Sequence, residues 1–486
     1  MTEEVLVAGA GIAGLGVALA LGDSRRVTLI DRDPPPPQGD AEDAFLHWER
    51  RGATQLRHSH VFLGRLTRLI ELRYPELMRD LMAAGARVFT FEDGLPPPLR
   101  AGYVKKPGDE DLSILFSRRT TLELVMRRYA ARMENVRFRT DTAVRGIVID
   151  DGFARGLKIE SAEASETLRA DVIVDASGRN TTFPDWLREQ GLKVSEESSP
   201  AGILYFTRHY RINDGAHEPV RDGTPGAGDL GYIKYGVFPA DNRHFSITLA
   251  VPEIESELRT AVMRPEIFDE ICAQIPGAAR WTDTARATPA SKVYSMGNLI
   301  SVWRSTIDAG VPQLLNLFAV GDAAVRTNPL YGRGCSAGIV HAHVLRQCLD
   351  ASDNPRTRAL LFEAETRKAL RPYFDSMVRQ DRQAIRRAEA ERDPDHNPSF
   401  RARAIKSLLD DAIGPSTRGD IESLRAFSRA FHMIDEPDLW LRNPGQLARL
   451  LRFWSMPKSA KRARGFYPPK FGPDRAQMLA HLKLAA

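Results

Sequence analysis

The opening stretch of this chain leaves few folds open to it. Glu4-Val5-Leu6-Val7-Ala8 is an apolar run short enough for a buried strand. It enters Gly9-Ala10-Gly11-Ile12-Ala13-Gly14, and an Ala/Leu-rich segment follows through Leu21. Three glycines spaced G-x-G-x-x-G between a strand and a helix have distinct tasks. The first makes the tight turn, the second lets the backbone approach a pyrophosphate, and the third lets the helix lie close to the strand. The helix N-terminus then aims free N–H groups and its positive dipole end at the phosphates. A second strand, Arg26-Val27-Thr28-Leu29-Ile30, ends in Asp31, at the distance expected of an acid that holds a ribose. The same glycine spacing recurs at Gly226-Ala227-Gly228-Asp229-Leu230-Gly231, but it follows a Pro/Gly-rich loop and leads into the β-like Tyr232-Ile233-Lys234-Tyr235. With no helix behind it, that copy reads as a turn.

At 486 residues the chain exceeds the size at which one core stops growing, so two or more lobes are expected. The apolar run Val5 to Leu21 follows Glu3 and Glu4 rather than a basic segment and carries the glycines, so it reads as fold and not as a targeting signal. Cys272, Cys335 and Cys348 are too few and too scattered for a disulfide framework or a zinc site. A cytoplasmic setting without a bound metal is the expectation. The net charge of +5 has a local origin. From Leu439 onward there are ten Lys/Arg and one acid, and taking these from the totals of 68 and 63 leaves 58 basic and 62 acidic residues. A solvated basic tail accounts for this, with a weak membrane-surface contact as the competing reading and no nucleic-acid role assigned.

After Asp31 comes the stiff Pro34–Pro37 connector, then a polar loop from His47 to His60 whose Gly, Gln, Arg and His suit the wrapping of a polar ligand. Strands are expected at Val88–Phe91 and Leu112–Phe116, and a helix over Thr120–Met133. Short β stretches around Val136, Ile147, Leu157 and Leu168 read as a meander. Val172-Ile173-Val174-Asp175-Ala176-Ser177-Gly178 returns to a buried strand. From Thr182 to Ile300, strand-like runs at Ile203–Tyr210, Tyr232–Phe238 and Phe245–Val251 indicate a separate sheet-based lobe. Asn316-Leu317-Phe318-Ala319-Val320-Gly321-Asp322 is again a strand ending in an acid, followed by Pro329-Leu330-Tyr331-Gly332-Arg333-Gly334 and a helix over Cys335–Leu349. The remainder is helical and Arg-rich. The expected architecture is α/β: a discontinuous Rossmann-like nucleotide domain (1–181 and 301–350), a sheet domain for substrate (182–300) and a C-terminal helical region (351–486).

Two strand-end acids, Asp31 and Asp322, lie almost 300 residues apart with a lobe between them. A nicotinamide domain normally completes its site within one contiguous βαβ region, so a ligand gripped from both places must be long.

The glycine trio, the Asp175–Gly178 segment, and Gly321-Asp322 with Pro329 and Gly332-x-Gly334 together resemble the class A FAD-dependent monooxygenases, which have the para-hydroxybenzoate hydroxylase fold. Arg51-Gly52-Ala53-Thr54-Gln55-Leu56-Arg57-His58-Ser59-His60 and Leu81–Ala86 are similar to the branch that includes polyether alkene epoxidases. The likeness covers roughly the first 350 residues. It implies that Gly9, Gly11 and Gly14 hold the FAD pyrophosphate, with Asp31 on the adenosine ribose and Arg32 beside the adenine. Arg119 would reach the cofactor and Asp322 would bond the ribityl chain. The helix that begins at Gly332–Gly334, behind Pro329, would aim its N–H groups at the flavin pyrimidine edge. Arg57 is a candidate partner of the pyrophosphate, with a surface ion pair as the competing reading. Two departures stand out: Asp175-Ala176-Ser177-Gly178-Arg179 where the family reads Asp-Gly, and Arg333 where it has Gln.

In such enzymes the cofactor does most of the chemistry, through a flavin C4a-hydroperoxide, while the protein supplies a dry, oriented cavity. No catalytic triad is expected, and no catalytic residue is assigned. His58 and His60 are the side chains to watch for tuning of proton delivery, against a role in holding the loop. NAD(P)H would supply electrons, directly or through a partner flavin reductase. Tyr205, Phe206, Phe238 and Phe245 are candidates to line the substrate cavity, against ordinary strand core, and Trp303 and Tyr331 are weighed alike. The expected activity is epoxidation or hydroxylation of a lipophilic secondary metabolite carrying an alkene or an electron-rich ring. The alternatives are a halogenase, an isoprenoid-type flavin reductase and a flavin-binding protein without turnover. Halogenases carry a Trp-x-Trp-x-Ile-Pro segment that is missing here, and Lys105 and Lys106 substitute poorly for their essential lysine. In the tail, Leu447, Leu450, Leu451 and Trp454 share one helical face edged by arginines, which either packs on the body or docks on an anionic membrane.

Overall fold

A computed structural model describes residues 2–392, 397, 399–468 and 471–484. Its centre is a five-stranded parallel sheet in the order Leu317–Ala319, Val172–Asp175, Glu4–Ala8, Arg26–Ile30, Val136–Arg139. A parallel sheet is covered on both faces, which is why its strands are nearly unbroken apolar runs. On one face lie three helices: α1 (Ile12–Leu21), α2 (Arg119–Ala131) and α3 (Gly334–Ala351). They enclose Val5, Val7, Leu29 and Val174 in one core. The alternate residues Leu6, Ala8, Ile30 and Ile173 point the other way, against a three-stranded meander (Ala143–Asp150, Phe153–Glu160, Ser165–Arg169). Val136 does not belong to that meander as its spacing suggested. It starts the edge strand of the parallel sheet, because Val27 and Leu29 offer it a paired position there.

The register brings the distant segments together. Ala8 pairs with Asp175, and Asp175 with Ala319, so the turns after all three strands open at the same edge of the sheet. Two helices then meet closely over that edge. A Cβ on Gly16 of α1 would lie 2.9 Å from Ile339 and 3.3 Å from Ala342 of α3, and one on Gly338 would lie 3.4 Å from Ala13.

The second sheet is antiparallel, in the order Ala227–Asp229, Lys234–Pro239, His244–Pro252, Ile203–Ile212, Ala287–Pro289, with Tyr294–Met296 also on Ile203–Ile212. Ala227–Asp229 and Lys234–Gly236 form a hairpin, so the second glycine copy, expected as a turn, is mostly a short strand and only its end, Leu230–Gly231, enters the turn. Side chains alternate across a strand. Phe206, Tyr210, Phe245, Ile247, Leu249 and Val251 face back into a core with the helices Ser256–Ala261, Pro265–Gln274 and Pro276–Thr282. Tyr205, Thr207, His209, Ser246 and Thr248 occupy the opposite face.

The C-terminal region is helical. Helix α4 (Pro355–Arg392) packs Leu370, Tyr373, Phe374 and Met377 against α3. Helix α5 (Ile421–Phe431) is fastened to the body by Arg425, which binds both oxygens of Asp109 at 2.8 Å, and by His432, whose Nδ1 accepts from the Gly64 amide at 3.0 Å. Helix α6 (Pro444–Ser455) turns Leu450 and Phe453 inward. The face inferred from sequence is therefore split: Leu447, Leu451 and Trp454 stay 49%, 51% and 40% exposed. Among the described residues, no helix is long and apolar enough to cross a membrane.

Candidate active site

A cavity of about 940 Å³ runs from the open edge of the parallel sheet to the front of the antiparallel one. At its head the Gly9 turn is cramped on one side and open on the other. Gly9 has φ +103°, and a Cβ there would meet the Ala176 carbonyl at 2.6 Å. One on Gly14 would fall 2.0 Å from the Gly9 carbonyl, which is the close strand–helix contact expected of the third glycine. Gly14 is thus behind the cavity wall, whereas Gly9 and Gly11 line it, and a Cβ on Gly11 would meet nothing within 4 Å. No side chain caps α1 and no acid occupies its first turn, so its N–H groups are free for an anion.

Asp31 lines the cavity but is engaged at both oxygens. Oδ2 accepts from the Ala10 amide at 3.3 Å and pairs with Arg50 at 3.1 Å, and Oδ1 accepts from the Asp33 amide at 3.1 Å. Arg50 continues to Asp33 at 3.0 Å and Glu123 at 3.4 Å, and its guanidinium lies over the Trp48 ring. Glu123 also holds Arg119 at 2.7 Å, and Arg127 lies 3.7 Å from Asp31. Three arginines and three acids thus make a neutral, enclosed network beneath the turn. Burial alone would lower the Arg119 pKa, but the adjacent Glu123 carboxylate, together with Cys335 and Asp322, reverses this and leaves it raised. Arg32 lines the cavity and donates to the Arg51 carbonyl at 3.3 Å.

Arg57 is elsewhere. Its guanidinium donates to the carbonyls of Phe45, Leu46 and Trp48 at 3.0, 3.4 and 3.2 Å, and it does not line the cavity. Among the described residues it has no ion-pair partner, and its donors are spent on these carbonyls. The helix Ala41–His47 ends there, and its last carbonyls need donors.

His60 lines the cavity with both ring nitrogens committed. Nδ1 donates to the His58 carbonyl at 2.8 Å, and Nε2 accepts from Arg119 at 3.2 Å. Burial, and then the Arg119 charge, hold its pKa well below the usual imidazole value. Both contacts are those of a neutral imidazole. Burial brings His58 down to about 4, partly offset by a backbone contact at Ser295, and its Nδ1 lies 3.0 Å from the Thr207 hydroxyl.

From the far end of the chain, Asp322, Pro329, Gly332, Gly334 and Cys335 line the same cavity. Burial raises the Asp322 pKa, and Arg119, Arg179 and Arg326 pull it back in part. Its turn is seated on both helices: a Cβ on Gly321 would come 2.6 Å from Ala13 of α1, and the Gly321 amide points to Nδ1 of His341 on α3 at 3.3 Å. Asp322 and the Gly9 turn therefore close on one ligand space. Helix α3 again has no acid in its first turn. Arg333, at the position of the family Gln, faces away, between the Tyr331 and Tyr373 rings at 5.5 and 5.3 Å. Asp175 is spent internally on Ser177 and Thr181, while Ala176, Ser177 and Gly178 form cavity wall.

No family model matches the chain. It is 27% identical over 398 residues to protein Rv3254 of Mycobacterium tuberculosis, covering 76% of this chain and 78% of the relative. It is 25% identical over 407 residues to kynurenine 3-monooxygenase of Salinispora arenicola, covering 77% and 78%. Among solved structures it resembles p-nitrophenol 4-monooxygenase PnpA of Pseudomonas putida, with a TM-score of 0.57 and 15% identity over 90% of this chain and 98% of that one. It also resembles the flavin-dependent brominase Bmp2, with a TM-score of 0.52 and 14% identity over 84% and 93%. The chain has the fold of the class A flavoprotein monooxygenases.

Within that fold the remaining cavity is the compartment in front of the antiparallel sheet. Tyr205, Thr207, Thr248, Lys234, Val237 and Phe238 belong to its wall, with Met296, Leu330, Tyr331 and Phe431 around it. Phe206 and Phe245, candidates from sequence, are on the wrong strand parity and serve the back core. Trp303 packs on Phe374 between α3 and α4. Lining by Phe431 makes the C-terminal region part of this cavity. Arg50, Asp33 and Glu123 escaped the sequence reading. Glu123 lies one helical turn after Arg119, and that spacing was the available signal.

Proposed function

We propose that this chain is a FAD-dependent monooxygenase that inserts one oxygen atom into a lipophilic small molecule, with NAD(P)H as the electron source. The observation that carries the reading is a single cavity clasped by the Gly9 turn and Asp322 and continuing into a largely apolar compartment. The residues fit FAD. Gly9, Gly11 and the open N-terminus of α1 would take the pyrophosphate over the neutral arginine–acid network, Asp31 and Arg32 the adenosine end, and Asp322 the ribityl chain. The N-terminus of α3, with no acid in its first turn, would take the pyrimidine edge and would stabilise negative charge on it. Reduced flavin, when bound, supplies the oxygen chemistry. The chain's own part is to hold His60 neutral and Arg119 charged, to exclude water and to orient the substrate against Thr207, Thr248 and Tyr205.

The names of the relatives, kynurenine 3-monooxygenase and p-nitrophenol 4-monooxygenase, favour hydroxylation of an electron-rich ring over epoxidation. A halogenase is the second reading. Lys234 lines the cavity, although Asp229 pairs with its ammonium, and a brominase shares the fold. We place the protein in the cytoplasm in keeping with its three unpaired cysteines. A weak contact with an anionic membrane through Leu447, Leu451 and Trp454, and a flavin reductase as partner, belong to the same proposal.

The test is to purify the protein, load it with FAD and record the flavin spectrum. Substrate-stimulated NADPH oxidation under labelled oxygen follows. One labelled oxygen in the product supports the proposal, product that forms only with halide moves it to the second reading, and protein that never takes up flavin overturns both.

A further inference from the structure

Asn328 stands immediately before the Pro329–Tyr331 turn, buried, with its polar atoms in use. Its amide donates to the Met377 sulfur at 3.2 Å, and its Oδ1 accepts from the Leu330 amide at 3.0 Å and the Tyr205 hydroxyl at 2.8 Å. Its Nδ2 donates to Oδ1 of Asp381 at 2.9 Å, and the same oxygen accepts from the Tyr331 hydroxyl at 2.9 Å. Met377 and Asp381 are one helical turn apart on α4, so a single face of that helix supplies both partners.

Asp381 is 2% exposed, has no ion-pair partner among the described residues, and leaves Oδ2 without a hydrogen bond. A buried carboxylate in that condition costs free energy. What it does in return is hold Tyr331 of the cavity wall directly and a second wall residue, Tyr205, through Asn328. The charged and titratable groups that face it are Tyr331 from the turn, Tyr205 from its strand and Lys234 from a strand two places away in the same sheet, with Arg333 behind Tyr331. Burial pushes the Asp381 carboxyl up to about 6, against the opposing hydrogen bonds from Tyr331 and Asn328 and the charge of Lys234.

We propose that Asp381 is a positioning residue of the active site, acting through Asn328 and Tyr331 to set the Pro329–Gly332 turn, the start of α3 and the substrate wall at Tyr205. The C-terminal helix then belongs to the site's working parts. The placement itself stands on contacts within this chain, and only its effect on cofactor rests on the flavin reading.

Amide exchange over residues 326–334 in FAD-free protein, with FAD affinity by fluorescence quenching, tests this at pH 5, 6 and 7.5. Asp381→Ala is expected to speed exchange of the Leu330, Tyr331 and Gly332 amides on the order of tenfold and to weaken FAD by a similar factor. Asp381→Asn keeps an acceptor and is expected to restore most of both at pH 7.5, while abolishing the change in protection factor, taken relative to the intrinsic exchange rate at each pH, that wild type shows between pH 5 and 7.5. Tyr331→Phe, which removes a single bond, is expected to give an intermediate effect and guards against misfolding of the alanine variant. Unchanged exchange in Asp381→Ala and Tyr331→Phe, or the same pH profile in wild type and Asp381→Asn, overturns the proposal. If wild type itself fails to bind FAD, the flavin reading falls and the exchange arm still decides the role of Asp381.

Discussion

Removing the negative charge of Glu123 tests whether the enclosed arginine–acid network really supports the nucleotide turn. Glu123 is 0% exposed, 2.7 Å from Arg119 and 3.4 Å from Arg50. Removing one partner of a buried ion pair costs about 3–5 kcal/mol, most of it the stranded charge. Glu123→Gln belongs at the low end, about 3 kcal/mol, because the amide oxygen still accepts from Arg119 and Arg50 keeps Asp31 and Asp33. Urea unfolding followed by tryptophan fluorescence is the assay, and Trp48, one of the six tryptophans, lies under the Arg50 guanidinium. At a slope of about 3 kcal/mol per M, the first midpoint should fall by roughly 1 M. The variant also leaves one net positive charge between two arginines that line the cavity. The FAD diphosphate should offset it, so the loss must be smaller in FAD-loaded protein. A loss under about 1 kcal/mol without FAD, or an equal loss with and without it, refutes the reasoning.

Four further outcomes are expected. Gly321→Val places a side chain against Ala13 at a residue with φ +60°, so FAD affinity should fall on the order of tenfold in a fluorescence titration, and unchanged affinity would count against the clasp. His58 at about 4, and His209 and His341 at about 3, lie below the 6.5 of an unfolded imidazole. The unfolded chain takes up those protons first, so stability is whole above pH 6.5 and is lost as pH falls towards 4. His58→Gln should make that decline shallower in a pH series of denaturation midpoints, and an identical slope would contradict the assignment. Phe206→Ala should cost about 3–5 kcal/mol while leaving substrate KM unchanged, whereas Thr248→Val should raise KM with stability within about 1 kcal/mol, and the reverse pattern would contradict the face assignment. Wild type should float with phosphatidylglycerol vesicles at low salt and Leu451→Glu should not; no flotation of wild type ends the membrane idea.

Legibility in the sequence followed the range of the forces involved. The strand–turn–helix at Glu4–Leu21, the strands ending in Asp31 and Asp322, and the helix behind Gly334 were readable because turn geometry and apolar periodicity act over a few neighbours. The same local logic dismissed the Gly226–Gly231 copy, which pairs as a hairpin. Which face a strand residue meets was not readable in that way: Tyr205 and Phe206 are adjacent and aromatic, yet one lines the cavity and the other the back core. Only the sheet's packing against its helices made that choice. For Arg57 the sequence left a phosphate partner and a surface ion pair open and gave no hint of the carbonyls at the helix end by His47 that it binds, and Arg50 drew no notice until the fold enclosed it among three acids. By itself the sequence determined that strand-end turns almost 300 residues apart should meet around one long cavity. The tertiary structure decided how, through the register that aligns Ala8, Asp175 and Ala319 and the small residues that bring α1 onto α3. It also decided that the C-terminal helix reaches the site with Asp381, because long-range contacts between buried polar groups leave no periodic trace along a chain.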